Sequence, residues 1–532
     1  MNMIPLELKP CIQPQLCIIQ YKSRYLHTRI RRLSLLIPLL AIRPARDSRT
    51  ITAAQHQIDI RRQRHYHHVP IFINRKRDYM NRALFGTSGV RGVVNQDLTP
   101  ELCKNVGSAL GTLLPAGAAV CLGTDSRLSR ELIRAAVTEG LIGTGVNVAQ
   151  AGIVPTPALA LLTREMSFDA GVMITASHNP PEFNGIKLFN RDSIGYSRTQ
   201  EEEVEKIYYS GSFRTGRAGA VEHFPRMKSK YIGFIKALVK GWDFNFGLKL
   251  LVDPGNGAAS GLAGDIFKQL GFNVFTINDT PDGRFPGRSP EPKEDTLQET
   301  IKFLRQKNAD LAICFDGDAD RVVFCDQQGF LGFNEMIAYI SRAAIKSSGK
   351  QTVATTIESG MLLDLAIKDL GGKVIRGRVG DVYAAHLARD NNAALGVESV
   401  GVYILPQAGY YPDSIFAALT LLGSISQASD IRSFLTTLPP LFFFKDKIAC
   451  ANENKAEVVA RVRQQADKLS AVYLNDLDGL RFEFGEGWLL IRASGTEPAI
   501  RVLAEAGSQQ YARSLLNMGL TVLKDAAKGG TS

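Results

Sequence analysis

The sequence predicts an α/β protein: repeated βαβ units with mainly parallel sheets, closed by a small C-terminal α+β domain. Three observations carry that expectation. Strand-like apolar runs alternate with helix-like segments through most of the chain, as in strand, crossover, strand units. Beyond residue 441 the order changes to a helix, several strands and a second helix. At 532 residues the chain exceeds what one core organises, so three or four domains are expected.

The elements follow in order. Thr99 and Pro100 read as an N-cap and first helical residue, starting a helix that runs through Leu114. A short buried strand is expected over 119–122, a polar turn over 125–130, and another strand over 172–175. An acidic helix over 201–206 precedes a glycine-rich charged stretch. The pattern restarts with a strand at 249–252, a tight turn at 253–257 and a helix at 258–270; a second strand of this unit covers 311–315. A third restart near Asn334 brings a strand at 352–356 and a helix at 361–370. The last section predicts a helix over 455–469, strands over 480–484, 488–492 and 500–506, and a helix over 510–524. Domain limits of 80–222, 223–333, 334–440 and 441–532 follow from these restarts.

Residues 1–79 read differently. They hold 15 Lys and Arg against four acids and five of the eight histidines, without sustained periodicity. The net charge of +11 therefore sits in this stretch, and the remainder carries 48 residues of each sign. That balance excludes a basic polyanion-binding protein, so no nucleic-acid partner is expected. Met80 opens directly into ordered-looking sequence, and translation beginning there is the expectation; a disordered basic tail and a targeting peptide are the alternatives. The run Leu33 to Ile42 contains Pro38 and is far short of the ~20 apolar residues a membrane span needs. Seven scattered cysteines without a Cys-x-x-Cys pair fit a reduced, cytoplasmic protein.

Four loops carry chemistry. Thr175-Ala176-Ser177-His178-Asn179-Pro180 follows a strand and sets a hydroxyl beside an imidazole, with Lys187 ten residues on; it also reads as a plain Asn-Pro turn. Asp316-Gly317-Asp318-Ala319-Asp320-Arg321 puts three carboxylates at alternate positions, an arrangement that calls for a hard divalent cation. Arg321 and Gln327 stand where a calcium loop of EF-hand type needs glycine and glutamate, so that reading fails; a surface acidic patch is the bland alternative. Arg492-Ala493-Ser494-Gly495-Thr496-Glu497-Pro498, with Arg501, supplies forked donors and hydroxyls suited to phosphate, or makes an ordinary hairpin turn. The fourth, Phe85 to Gly92, combines three glycines, two hydroxyls and Arg91 and is weaker alone.

Taken in this order, these motifs over residues 80–532 resemble the α-D-phosphohexomutase family of phosphoglucomutases, phosphomannomutases and phosphoglucosamine mutases. Pro281-Asp282-Gly283-Arg284-Phe285-Pro286 also looks like a family stretch, with no chemistry assigned. The resemblance implies three βαβ-type mixed-sheet domains plus a C-terminal α+β domain around a central cleft. It implies a phosphoserine at Ser177, and Mg²⁺ held by Asp316, Asp318 and Asp320 with Ser177 beside them. It further implies a hexose 1,6-bisphosphate as intermediate and activator. Arg91, His178 and Lys187 would position the reacting phosphate and assist proton transfer; Arg492, Ser494, Gly495, Thr496 and Arg501 would grip the other phosphate of the phosphosugar. Arg321, Glu398 and Ser399 would bind substrate. The family's sugar-reading loop, G-E-x-S-G-H, stands here as Val397-Glu398-Ser399-Val400-Gly401-Val402. Glu398 aligns, whereas Val400 replaces the serine and Val402 the histidine, unless Ser399 takes the serine's part. Substrate identity is therefore open, with glucosamine phosphate favoured over mannose and glucose phosphates, and oligomeric state is not readable.

A haloacid-dehalogenase-type phosphatase also places Asp-x-Asp after a hydrophobic strand, and there Asp316 would be the phosphorylated residue. A non-catalytic sugar-phosphate sensor would have lost Ser177 or the aspartates, and none is lost.

Overall fold

The computed structural model describes residues 83–86, 89–495 and 497–528. The expectations for residues 1–79, for Thr87 and Ser88, and for Thr496 lie outside the described residues.

Four sheets organise the chain. The first contains β1 (Val90–Val93), β2 (Ala119–Thr124), β3 (Asn147–Ile153), β4 (Ala170–Ile174), β5 (Phe183–Asn190) and β6 (Val221–His223), in the order β1-β5-β4-β2-β3-β6. The second holds β7 (Lys249–Asp253), β8 (Asn273–Thr276), β9 (Leu311–Phe315), β10 (Val322–Asp326) and β11 (Gly329–Leu331), ordered β11-β10-β9-β7-β8. The third is β12 (Thr352–Thr356), β13 (Lys373–Gly377), β14 (Leu395–Glu398) and β15 (Val402–Ile404), ordered β13-β12-β14-β15. In the fourth, β16 (Phe442–Ala449), β17 (Tyr473–Asn475), β18 (Leu480–Glu483), β19 (Gly487–Ala493) and β20 (Ala499–Ala506) are wholly antiparallel.

The first three sheets are mixed rather than mainly parallel, and the reason is local. β4 pairs parallel with β2 but antiparallel with β5; β9 pairs parallel with β7 but antiparallel with β10; β14 does the same between β12 and β15. Parallel neighbours need a long crossover, whereas the links after β4, β9 and β14 are short and fold straight back. The links after β4 and β9 are the serine and metal loops, that after β14 is the sugar-reading loop, and the Arg492 loop after β19 is also a hairpin connection.

The expected helices are present, with boundaries that shift at either end. The Thr99 side chain caps Pro100–Leu113, accepting from the Leu102 N–H at 3.2 Å. The helix expected at 258–270 occupies only Ala263–Leu270, because the chain first turns through Gly261 at φ 66°. The helices expected at 361–370 and 455–469 each end early and finish in a 3₁₀ turn, Lys368–Leu370 and Ala466–Leu469. One continuous apolar core runs through the first three domains, joining Leu159 and Leu162 to Ile313, Phe324, Leu395 and Phe416. The fourth packs its own core under the helix Gln509–Lys528. Among the described residues, no helix is long and apolar enough to cross a membrane, and Cys103, Cys121, Cys314, Cys325 and Cys450 are free thiols.

Candidate active site

The serine loop begins where β4 ends. Ser177 adopts φ 50°, a left-handed conformation uncommon for a non-glycine residue, and is buried. The conformation is imposed from below. The Thr175 hydroxyl accepts from the Ser177 N–H at 2.8 Å and donates to Asp125 at 2.7 Å. Such over-determined strain clusters at functional sites. Ser177 Oγ lies 2.6 Å from Asp316 Oδ2, 3.5 Å from Asp320 Oδ1 and 3.2 Å from His178 Nδ1.

The metal loop meets it from the second domain. Gly317 is required by that approach: a Cβ there would stand 2.4 Å from the Ser177 carbonyl oxygen. Asp316, Asp318 and Asp320 are buried and bring carboxylate oxygens within 4.8 Å of one another. Lys187, from β5, donates to Asp318 at 3.0 Å and to Asp320 at 2.5 Å. Burial, then repulsion from Asp320 and Asp318, holds the Asp316 carboxyl well above the ordinary range. Burial also opposes ionisation of Asp320, but Lys187 and Arg321 overcome it and bring that carboxyl down to about 2. Asp318 Oδ1 is buried without a hydrogen-bond partner among the described residues. Hard oxygen donors, this spacing and an unpartnered buried oxygen fit a divalent cation.

Around this centre stand cationic side chains. Arg91 donates to Asn179 at 2.9 Å. The buried Nε atoms of Arg91, Arg321 and Arg492 have no hydrogen-bond partner among the described residues, leaving donors that an anion would satisfy. Burial, reinforced by Arg321, Arg91 and Lys187, pulls the His178 imidazole down to about 2, so it is neutral here. Burial also works against the charge on Lys187, yet Asp318 and Asp320 more than offset it and keep the ammonium protonated.

The sugar-reading loop abuts the metal loop. Val322 donates its N–H to the Gly401 carbonyl at 2.9 Å, and Gly401, at φ 85°, leaves no room for a side chain against Val322. Glu398 accepts from the Gly380 N–H at 2.8 Å, and burial followed by Asp381 pushes its carboxyl up to about 7. Val402 is packed with Ile194, Ala384, Ala385 and Ile404, so its position carries apolar contact rather than a polar group; Val400 is exposed. Ser399 Oγ lies 3.5 Å from Ser359 Oγ and lines a cavity of ≈ 950 Å³ together with Glu358, Lys447 and Arg501. Arg492 is paired with Glu358 at 3.0 Å and Asp478 at 3.1 Å, and Arg501 with Glu497 at 3.3 Å. Ser494 Oγ accepts from the Glu497 N–H at 3.1 Å, and Gly495 is exposed beside it.

Sequence reasoning missed the supports. Thr156 donates to Asp318 at 2.6 Å. Arg288, paired with Asp253 at 2.8 Å, donates to the Phe315 carbonyl at 2.7 Å and so fixes the root of the metal loop. Asp125 and Arg127 do the same beneath Ser177. The polar turn after β2 was the available signal, because β2 lies next to β4 in the sheet.

Comparison with known proteins agrees along the chain. The models for phosphoglucomutase/phosphomannomutase alpha/beta/alpha domains I, II and III match residues 82–215, 230–329 and 333–441, and that for the C-terminal domain matches 447–518. A probable phosphoglucosamine mutase of Pyrococcus horikoshii is 37% identical over 449 residues, covering 84% of this chain and 98% of its own. A phosphoglucomutase/phosphomannomutase of Thermococcus kodakarensis is 36% identical over 456 residues, covering 84% and 99%. Among solved structures, a phosphoglucomutase/phosphomannomutase family protein from Burkholderia thailandensis matches with a TM-score of 0.74 at 26% identity, covering 84% of this chain and 98% of that one.

Proposed function

The chain belongs to the phosphoglucomutase/phosphomannomutase family of α-D-phosphohexomutases, and on that premise we propose that this hexose-phosphate isomerase works by relaying a phosphoryl group through Ser177. The observation that supports the relay most is the 2.6 Å approach of Ser177 Oγ to a buried carboxylate of a three-aspartate cluster, held in a left-handed backbone conformation.

In this reading a phosphate on Ser177 adds about −1.5 to −2 charges. Asp316, Asp318, Asp320 and Ser177 would hold Mg²⁺, which supplies charge neutralisation of the phosphoryl oxygens. Lys187 and Arg91 bring fixed positive charge to the same point, and Arg321 does so next to Glu398. A sugar hydroxyl forms a bond to phosphorus as the Ser177 O–P bond breaks, giving the 1,6-bisphosphate; the hydroxyl proton passes to a nearby base. His178, 3.2 Å from Ser177 Oγ, is the candidate that geometry places best. The bisphosphate turns over and returns its other phosphoryl group to Ser177. Arg492, Ser494, Gly495, Thr496 and Arg501 grip the phosphate that is not reacting, while Glu398 and Ser399 contact the sugar.

Glucosamine phosphate is the preferred substrate, supported by the relatives that carry the name phosphoglucosamine mutase and by the carboxylate at Glu398, which suits an ammonium as well as hydroxyls. Mannose and glucose phosphates are the runners-up. Purified protein assayed on the three 6-phosphates with Mg²⁺ and a trace of the matching 1,6-bisphosphate tests this: the highest kcat/KM is expected for glucosamine 6-phosphate. Equal or better turnover of mannose or glucose 6-phosphate would contradict the preference, and turnover of none would contradict the enzyme reading.

A further inference from the structure

We propose that Arg127 and Phe285 are positioning residues for phosphoryl transfer, with Phe285 reaching from the second domain to cap the arginine that organises the serine loop of the first. The inference rests on the Ser177 relay and adds residues that touch neither substrate nor metal.

Arg127 is fully buried, and all five of its side-chain N–H donors are engaged. Its Nε donates to Asp125 at 3.0 Å. One terminal nitrogen donates to the carbonyls of Pro180 and Phe183, at 2.5 and 2.9 Å; the other donates to those of Ser177 and Asn179, at 2.9 and 2.5 Å. One planar group therefore dictates where four carbonyls of the loop 175–183 point, including that of Ser177 itself. Lysine, with a compact ammonium, has no such fork.

What covers the open face of this guanidinium comes from the other domain. The Phe285 ring lies over it, 5.3 Å from the guanidinium carbon to the ring centroid. Phe285 is buried at φ 51°, a backbone conformation uncommon for a bulky residue. Two residues earlier, Gly283 is pressed onto the same site: a Cβ there would stand 2.3 Å from the Leu128 nitrogen and 2.5 Å from the Arg127 Cα. The stretch Pro281-Asp282-Gly283-Arg284-Phe285-Pro286, unexplained by the chemistry of the site, thus fits as a turn shaped to lie on Arg127. Its glycine permits the approach, and its phenylalanine supplies the aromatic face that a buried cation prefers. The same domain carries Asp316, Asp318 and Asp320. Docking of the two domains thereby sets the nucleophile's loop and its metal cluster together.

The test compares Phe285→Leu, Phe285→Tyr and Arg127→Lys with the unaltered protein in the Mg²⁺-dependent mutase assay, alongside thermal melting and phosphopeptide mapping of Ser177. Loss of the aromatic face in Phe285→Leu is expected to lower kcat about tenfold while KM for the hexose phosphate stays within about twofold. Phe285→Tyr restores kcat, and Arg127→Lys falls further than Phe285→Leu. Should Arg127→Lys fail to fold, the Leu and Tyr pair decides. A Leu variant with the unaltered kcat, a loss confined to KM, or equal impairment of Leu and Tyr would overturn the proposal while leaving the relay standing. An unaltered protein that never carries phosphate on Ser177 would instead overturn the relay, and this inference with it.

Discussion

At the serine and metal loops, Arg127 and Arg288 are buried and direct their donors into backbone carbonyls and a partner aspartate. In the C-terminal loop, Arg492 and Arg501 are instead paired with Glu358, Asp478 and Glu497, carboxylates that water reaches in part. The first pair of loops sits on a core continuous across three domains, and the last on a core of its own. Under the proposed relay, the contrast separates two tasks. A centre that breaks and makes P–O bonds gains from geometry fixed before substrate arrives. A cradle for whichever phosphate is not reacting must accept either end of the sugar in turn, and ion pairs that water reaches in part open at less cost than fully buried ones.

Substitutions at the two regions should therefore differ in size and in kind. Ser177→Ala is expected to remove mutase activity by on the order of 10³-fold or more, in kcat and with the fold retained. Near-normal isomerisation by this variant would break the comparison outright. Asp318→Asn should lower kcat by roughly 10²- to 10³-fold, the several kcal/mol that charge stabilisation at such a site supplies, and weaken Mg²⁺ binding in calorimetric titration. Unchanged Mg²⁺ affinity would detach the aspartates from the metal. At the cradle, Arg501→Ala should raise KM about tenfold, the order of one charge-assisted hydrogen bond, with kcat within about twofold. A fall in kcat without a change in KM would show that this loop acts in the transition state after all.

The smallest effect concerns pH. Burial and Asp381 push the Glu398 carboxyl up to about 7, so it is protonated below that point and ionised above it. If the ionised form reads the sugar, KM falls about threefold as pH rises from roughly 6.5 to roughly 7.5, and Glu398→Gln flattens the profile. A steady-state pH series on both proteins checks this.

The serine and metal loops of the candidate site were legible in the sequence because their side chains are contiguous: one hydroxyl and imidazole at Ser177 and His178, three carboxylates from Asp316 to Asp320. Strand-turn alternation was legible for the same local reason. Strand alternation alone pointed to mainly parallel sheets, and the mixed sheets that the family resemblance implied are the ones found; which strands turn back depends on whether a short link can fold on itself, and that is seen in the sheet order. Arg127 sits 50 residues from the Ser177 carbonyl it holds, and Phe285 belongs to another domain; no sequence period brings them together. Val402 illustrates the converse, because its replacement of a family histidine was visible at once, whereas its place among Ile194, Ala384 and Ile404 required the fold.

The most direct measurement is to incubate the protein with Mg²⁺ and hexose 1,6-bisphosphate carrying labelled phosphoryl groups, quench in acid, and map the label by peptide. An acid-stable phosphoserine at Ser177, chased onto unlabelled hexose monophosphate, is the predicted result. A labile acyl phosphate at Asp316, or label on neither residue, would contradict the account.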